Sequence, residues 1–195
     1  FLENSKRVLY LDIDAHHGDG VQDAFYSNNE IMVISLHESG KTLFPWTGFE
    51  NEIGEGAGRG YNVNIPLPVG ISDKAYLKVF TKIVVPLIKA FAPDVFVMQL
   101  GMDALAGDTL AHLELTNNVH AEIVDRILSF DKPILATGGG GYHVPAAVPV
   151  HQTGPDWYRT EPHRSRLCPR TNGLARYSSG YDDNYSRGDY GRHSG

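Results

Sequence analysis

The residues best suited to chemistry sit where apolar runs end. In Leu11-Asp12-Ile13-Asp14-Ala15-His16-His17-Gly18-Asp19-Gly20, the ionisable side chains Asp12, Asp14, His16, His17 and Asp19 fall within eight residues. Along an extended chain side chains alternate between faces, so Asp12, Asp14 and His16 are predicted to share one side. A carboxylate and an imidazole aimed at one point suit a borderline cation such as Zn²⁺ better than Mg²⁺, which favours all-oxygen sites. A polar strand terminus making caps and turn hydrogen bonds would use the same residues. Gln99-Leu100-Gly101-Met102-Asp103 again ends an apolar run in an acid. Asp103 is either an N-cap or turn residue, or a third ligand that leaves the open position a catalytic zinc needs. The third segment is Gly138-Gly139-Gly140-Gly141-Tyr142. Glycine lets backbone approach a ligand closely and supplies positive φ. A phosphate cradle would need a Walker-type Lys-Ser/Thr or G-x-G-x-x-G in a strand-to-helix context, and neither is present. What remains is a tight loop presenting one phenol, Tyr142, which the sequence alone leaves open between a site residue and a core aromatic.

These segments must be held by a scaffold, and its elements are readable. Val8–Leu11, Ile31–Leu36, Tyr61–Ile65, Val95–Leu100 and Pro133–Ala136 read as short buried strands, the third closed by Pro66-Leu67-Pro68. A helix is predicted across Val21–Tyr26. Another runs from Ser72, as N-cap, to Phe91, with Tyr76, Val79, Phe80, Ile83 and Leu87 at helical spacing and a kink expected at Pro86. A third carries Val119, Ile123, Ile127 and Phe130 behind the cap Thr116. Residues 37–60 form a long Gly-rich connection of the kind that carries function. Alternating strands and helices imply an α/β fold with a mainly parallel sheet, whose ligands sit at the carboxyl ends of the strands.

Composition excludes several classes. Of 195 residues, 42% are hydrophobic and 21% charged, as in an ordinary globular protein. No apolar run reaches the roughly 20 residues of a membrane span, so no membrane partner is expected. The single cysteine, Cys168, rules out an internal disulfide and a cysteine zinc cage. It fits a reducing compartment, and a cytoplasmic location is expected. Residues 1–150 carry 10 Lys+Arg against 18 Asp+Glu, whereas 151–195 carry 7 against 5. The acidic body argues against direct nucleic-acid binding. Residues 151–195 contain no Ile, Val or Lys, so that segment is expected to be a disordered tail. A chain that opens at Phe1 without a basic or apolar leader is expected to be a piece of a longer one.

The strings LDIDAHHGDGVQDAF, ISLHESGKTLFPWTGF, GEGAGRGYNVNIPLP, QLGMDALAGD and LATGGGGYH, in this order over about residues 7–144, resemble the histone deacetylase family. Among its branches the likeness is greatest to the bacterial acetoin-utilisation-type deacetylases. The resemblance implies a three-layer arginase/deacetylase-like α/β fold, incomplete at the N-terminus. Residues 1–150 would then be part of the catalytic domain and 151–195 a non-family tail. It also implies hydrolysis of N-acetyl-lysine or a related acetyl amide with one zinc per chain. Carried over position by position, Asp14, His16 and Asp103 would be the zinc ligands and Tyr142 the tyrosine that stabilises the transition state. Asp12 and Asp19 match acids that orient two active-site histidines, and Phe44 and Gly140 match substrate-binding positions. Oxygens at Asp12, Asp14, His16, Ser35 and Leu36 match a monovalent-cation site, usually potassium.

Departures accompany the likeness. The family's tandem catalytic histidines lie upstream of the strand at Val8, and His16-His17 cannot replace them because His16 is a ligand. Adjacent residues of an extended chain point to opposite faces, so His17 is expected to face away from the metal. Leu43 stands at the second tunnel-wall position, Trp46 where a glycine is usual and Met102 where a smaller residue is usual. Past Tyr142 the family's Ala/Trp/Leu-rich helix is replaced by an Arg/Tyr/Ser-rich stretch, as a reading-frame change would produce. Two other readings are a two-metal ureohydrolase, disfavoured by Leu105 where a second acid is needed, and a non-catalytic fragment that binds metal or acetylated ligand.

Overall fold

The computed structural model describes residues 7–142. Five strands, β1 (Val8–Asp12), β2 (Ile31–Glu38), β3 (Asn62–Leu67), β4 (Val95–Gln99) and β5 (Ile134–Thr137), form one parallel sheet in the order β3-β2-β1-β4-β5. The helices are α1 (Asp19–Phe25), α2 (Asp73–Val79), α3 (Val85–Phe91) and α4 (Asn117–Leu128). Strand alternation sorts side chains onto two faces. Leu9, Leu11, Ile34, Phe96 and Met98 join Tyr76, Phe80, Ile88, Ile123 and Ile127 in the main core. Val8, Ile31 and Val33, with Tyr10 and Val97, form a second cluster with Val21 and Phe25 of α1. Helices therefore cover both faces, the arrangement an all-parallel sheet requires.

The helix predicted over 72–91 departs from its pattern. A π-helical turn, Phe80–Val84, separates α2 from α3. The wider turn spends one extra residue, so burial passes through Val84 and Ile88 rather than Ile83 and Leu87. Ile83 is left 43% exposed. Pro86 falls in the first turn of α3, so the disruption expected there is expressed just before it. Pro66, expected to close β3, lies inside it opposite His37. As β3 is an edge strand, a missing N–H on its open side costs no ladder bond. Ser72 occupies the N-cap of α2 without a side-chain cap bond, whereas Thr116 Oγ1 accepts from Asn118 N at 3.4 Å at the start of α4. Asp73 joins these two helices by accepting from Thr116 N and Oγ1, at 2.8 and 2.6 Å.

Successive strands run outward from β1 through β2 to β3, then restart at β4 on the other side. The reversal lies between β1 and β4, where Asp12 pairs with Gln99. That is where an open parallel sheet leaves a crevice at its carboxyl edge. The expected tail, 151–195, lies outside the described residues.

Candidate metal centre

β1 ends at Asp12, so the alternation expected to carry Asp12, Asp14 and His16 onto one face stops there. Two short-range carboxylate bonds take over. Asp12 Oδ1 accepts from Asp14 N at 3.0 Å, and Asp14 Oδ1 accepts from His16 N at 2.9 Å. Asp-x-Asp-x-His thus folds through Asx-type turns, as short acidic side chains do beside backbone N–H groups. The loop after β4 brings Asp103 to the same point, where His16 Nδ1 lies 2.9 Å from Asp103 Oδ2 and 3.2 Å from Asp14 Oδ1.

Each carboxylate keeps its other oxygen for the protein. Asp14 Oδ2 accepts from Gln99 Nε2 and from Gly140 N, both at 2.8 Å, and Asp103 Oδ1 accepts from Ala15 N at 2.7 Å. The glycine loops exist for this approach: a Cβ on Gly101 would strike Asp14 Oδ2, and one on Gly140 would strike Asp103 Oδ2.

Asp14, His16 and Asp103 form the one His/Cys/Asp/Glu group among the described residues able to hold a metal ion, with ligand atoms within 4.8 Å of one another. The set fits a divalent cation on its chemistry. Asp103 is fully buried and Asp14 nearly so, and two buried carboxylates are costly without a countercharge. The His16 ring lies between them, and a proton on it would supply that countercharge. Hydrogen bonds to Asp103 and Asp14 raise His16 to about 10. Against the effect of burial, the His16 hydrogen bond helps hold Asp14 well below the usual carboxylate range. A cation bound here would displace that proton. Nearby, burial and the Asp14 charge raise Asp12 to about 7, against the pull of the Asp14 N–H. Tyr10 OH also donates to Asp12 Oδ2, at 3.1 Å.

A cavity of about 680 Å³ opens above this floor, lined by Asp12, Asp14 and His16 below and by Leu43, Phe44, Trp46, Leu110, His112 and Tyr142 above. Tyr142 meets the His16 ring edge-on with centroids 6.3 Å apart. Burial, then the Asp103 and Asp14 charges, raise its phenol, which keeps it a hydrogen-bond donor. Phe44 stands in the wall, whereas Gly140 is placed on the Asp14 carboxylate and does not line this cavity. Trp46, where the resemblance leads one to expect glycine, adopts φ +67°, a left-handed conformation that costs a side-chain-bearing residue on the order of 1 kcal/mol.

Asp19 begins α1 on the surface, with Oδ1 accepting from Gly20 N at 2.7 Å. Ser35 Oγ lies 2.8 Å from His37 Nδ1, and Leu36 is fully buried in the main core. His17, expected to face away, lines the same cavity, though its ring nitrogens are engaged elsewhere: Nδ1 lies 2.9 Å from Thr47 Oγ1 and Nε2 3.1 Å from Gln22 Oε1.

Gln99, Gln22, His37, Glu52 and Asp108 were not foreseen as site residues. Gln22 Oε1 also accepts from Asn62 and Asn64, each at 2.7 Å, and Gln22 Nε2 donates to Glu52 Oε2 at 2.7 Å. Glu52 Oε1 accepts from Gly48 N and Phe49 N, tying down the wall loop. Asp108 Oδ2 accepts from Tyr142 N at 2.8 Å. Position at a strand end next to Asp12 was an available signal for Gln99; Gln22, Glu52 and Asp108 each also draw on a partner 30 or more residues away, and His37 meets Ser35 and Gly48, polar groups of ordinary type that carry no pattern.

The family model of the histone deacetylase domain matches residues 2–152. Histone deacetylase B of Dictyostelium discoideum is 48% identical over 138 residues, covering 71% of this chain and 33% of that protein. Histone deacetylase 1 of Homo sapiens is 44% identical over 143 residues, covering 73% and 30%. The crystal structure of an HDAC homologue from Aquifex aeolicus superposes with a TM-score of 0.70 at 43% identity, over 74% of this chain and 39% of that one. An HDAC homologue complexed with SAHA gives 0.70 at 42%, with the same coverage. The chain spans about a third of the length of the curated relatives it matches.

Proposed function

This chain belongs to the histone deacetylase family, and from that premise we propose that it supplies the metal centre and one cavity wall of a zinc-dependent deacetylase. The substrate is an acetylated lysine side chain or a related small acetyl amide. The observation that carries this reading is the convergence of Asp14 Oδ1, His16 Nδ1 and Asp103 Oδ2 at the floor of a cavity that Tyr142 also lines.

Zinc bound by these three residues would polarise the acetyl carbonyl and acidify a bound water. The chain's own groups do the rest. Gln99 and the Gly140 N–H orient Asp14, and the Ala15 N–H orients Asp103, the outer support that keeps ligands basic and correctly aimed. The Tyr142 hydroxyl donates to the carbonyl oxygen as it gains charge, and Phe44 and Leu110 exclude water along the acyl chain. The proton acceptor belongs to the histidines that the resemblance places before β1. Potassium at Asp12, Asp14, His16, Ser35 and Leu36 completes the proposal, as do membership of the acetoin-utilisation branch and a cytoplasmic location. Leu105 is buried in the core, which supports a one-metal centre over the ureohydrolase alternative.

The test is binding of SAHA to the zinc-loaded and the metal-free chain, followed calorimetrically. Binding that requires zinc and is competed by an acetyl-lysine peptide supports the reading. Equal binding with and without metal contradicts it.

A further inference from the structure

We propose that His112, backed by the buried carboxylate of Glu38, forms a subsite in the wall of this cavity for a cationic group of the substrate, a primary ammonium or guanidinium flanking the acetylated amine. The proposal rests on the deacetylase reading of the same cavity. Glu38 ends β2 with its side chain wholly buried, yet among the described residues its carboxylate is hydrogen-bonded by His112 alone. Oε2 accepts from His112 N at 2.7 Å and Oε1 lies 3.0 Å from His112 Nδ1. A carboxylate accepts hydrogen bonds, so Nδ1 carries the proton and Nε2 is the ring atom left for the cavity. In that tautomer Nε2 holds a lone pair, and the hydrogen bond from Nδ1 to the Glu38 carboxylate makes it a better acceptor.

The surroundings favour a cation as occupant. Among the described residues no Lys or Arg lines the cavity, whose lining acids are Asp12 and Asp14, with Glu38 buried behind His112. The Glu38 charge has no Lys or Arg ion pair among the described residues. The imidazole is 56% exposed, so a bound group reaches it without rearrangement. The whole chain carries a formal net charge of -6, which draws cations toward its surface. Phe44 and Trp46, 63% and 59% exposed, offer aromatic faces on the same cavity to a cation's methylenes.

The test compares two acetyl-lysine peptides that differ at one flanking position, arginine in one and its neutral isostere citrulline in the other. Fluorescence anisotropy measures both on the zinc-loaded full chain at mildly alkaline pH. The wild type should hold the arginine peptide about fivefold more tightly, the scale of a partly exposed charge contact. His112→Ala, at an exposed position, and Glu38→Gln, which keeps the buried shape, should each abolish the preference while leaving the citrulline peptide bound. Equal affinity for the two peptides in the wild type, or a preference that survives His112→Ala, overturns the subsite and leaves the deacetylase reading standing. Failure of both peptides to bind overturns both.

Discussion

Gln99 and Asp14 are joined by an amide-to-carboxylate bond of 2.8 Å, and the same Gln99 side chain accepts from Gly101 N at 2.7 Å. One residue of β4 therefore aims a ligand delivered by β1 and fixes the loop that carries Asp103. Gln99→Leu keeps the volume and removes both bonds. Zinc affinity, read by competition with a chelating dye, should fall about 10- to 100-fold while the chain stays folded. Unchanged affinity would mean that Asp14 is oriented without it.

Glycine at 140 is a requirement of close approach, since a Cβ there meets the Asp103 carboxylate. Gly138, two residues earlier, has open space around the same position. Gly140→Ala should lose zinc affinity and Gly138→Ala should retain it, as a paired titration would read. Equal loss in both would point to loop flexibility rather than contact.

Tyr142→Phe removes the donor and keeps the ring. SAHA affinity for the zinc-loaded chain should drop about tenfold with zinc affinity unaltered, the scale of one hydrogen bond to a polarised oxygen. A parallel loss of zinc would instead make Tyr142 a support of the metal cluster.

His37 is fully buried, with Nε2 2.9 Å from Gly48 O, and burial lowers it from 6.5 to about 4. The folded state resists protonation there and the unfolded chain does not. Its contribution is therefore whole above about pH 6.5 and is lost as pH falls toward 4, up to about 3 kcal/mol. Asp12, raised to about 7, acts in the opposite sense over much of that range, so the comparison must isolate His37. In urea unfolding, the stability margin of wild type over His37→Asn should shrink from pH 7 to pH 5. A margin independent of pH would refute the shift.

The π turn makes its own prediction. Val84→Ala should cost on the order of 2 kcal/mol and Ile83→Ala within about 0.5, because the turn exchanges their exposure. The reverse order in denaturant melts would restore the regular helix.

Much of this was legible because it is local. Strand runs ending in Asp12 and Gln99, the Asp-x-Asp-x-His spacing and the four glycines each announce themselves within a dozen residues. Their meeting at the β1–β4 reversal follows from parallel topology. The π turn was not legible, since Ile83 and Val84 are equally apolar and the choice between them is made by packing. Nor was the strand through Pro66, which depends on β3 being an edge. The pairs Glu38–His112 and Gln22–Glu52, each with one buried partner, span 74 and 30 residues and join polar side chains of ordinary type. No periodicity marks them; only the fold brings them together.

The central claim is that Asp14, His16 and Asp103 hold one zinc. Its most direct test is zinc content per chain after exhaustive dialysis, measured by mass spectrometry for wild type and Asp103→Ala, with circular dichroism to verify that both are folded. One zinc per wild-type chain and little or none in the variant is the expected result. A folded Asp103→Ala chain that retains full zinc stoichiometry and affinity would contradict it.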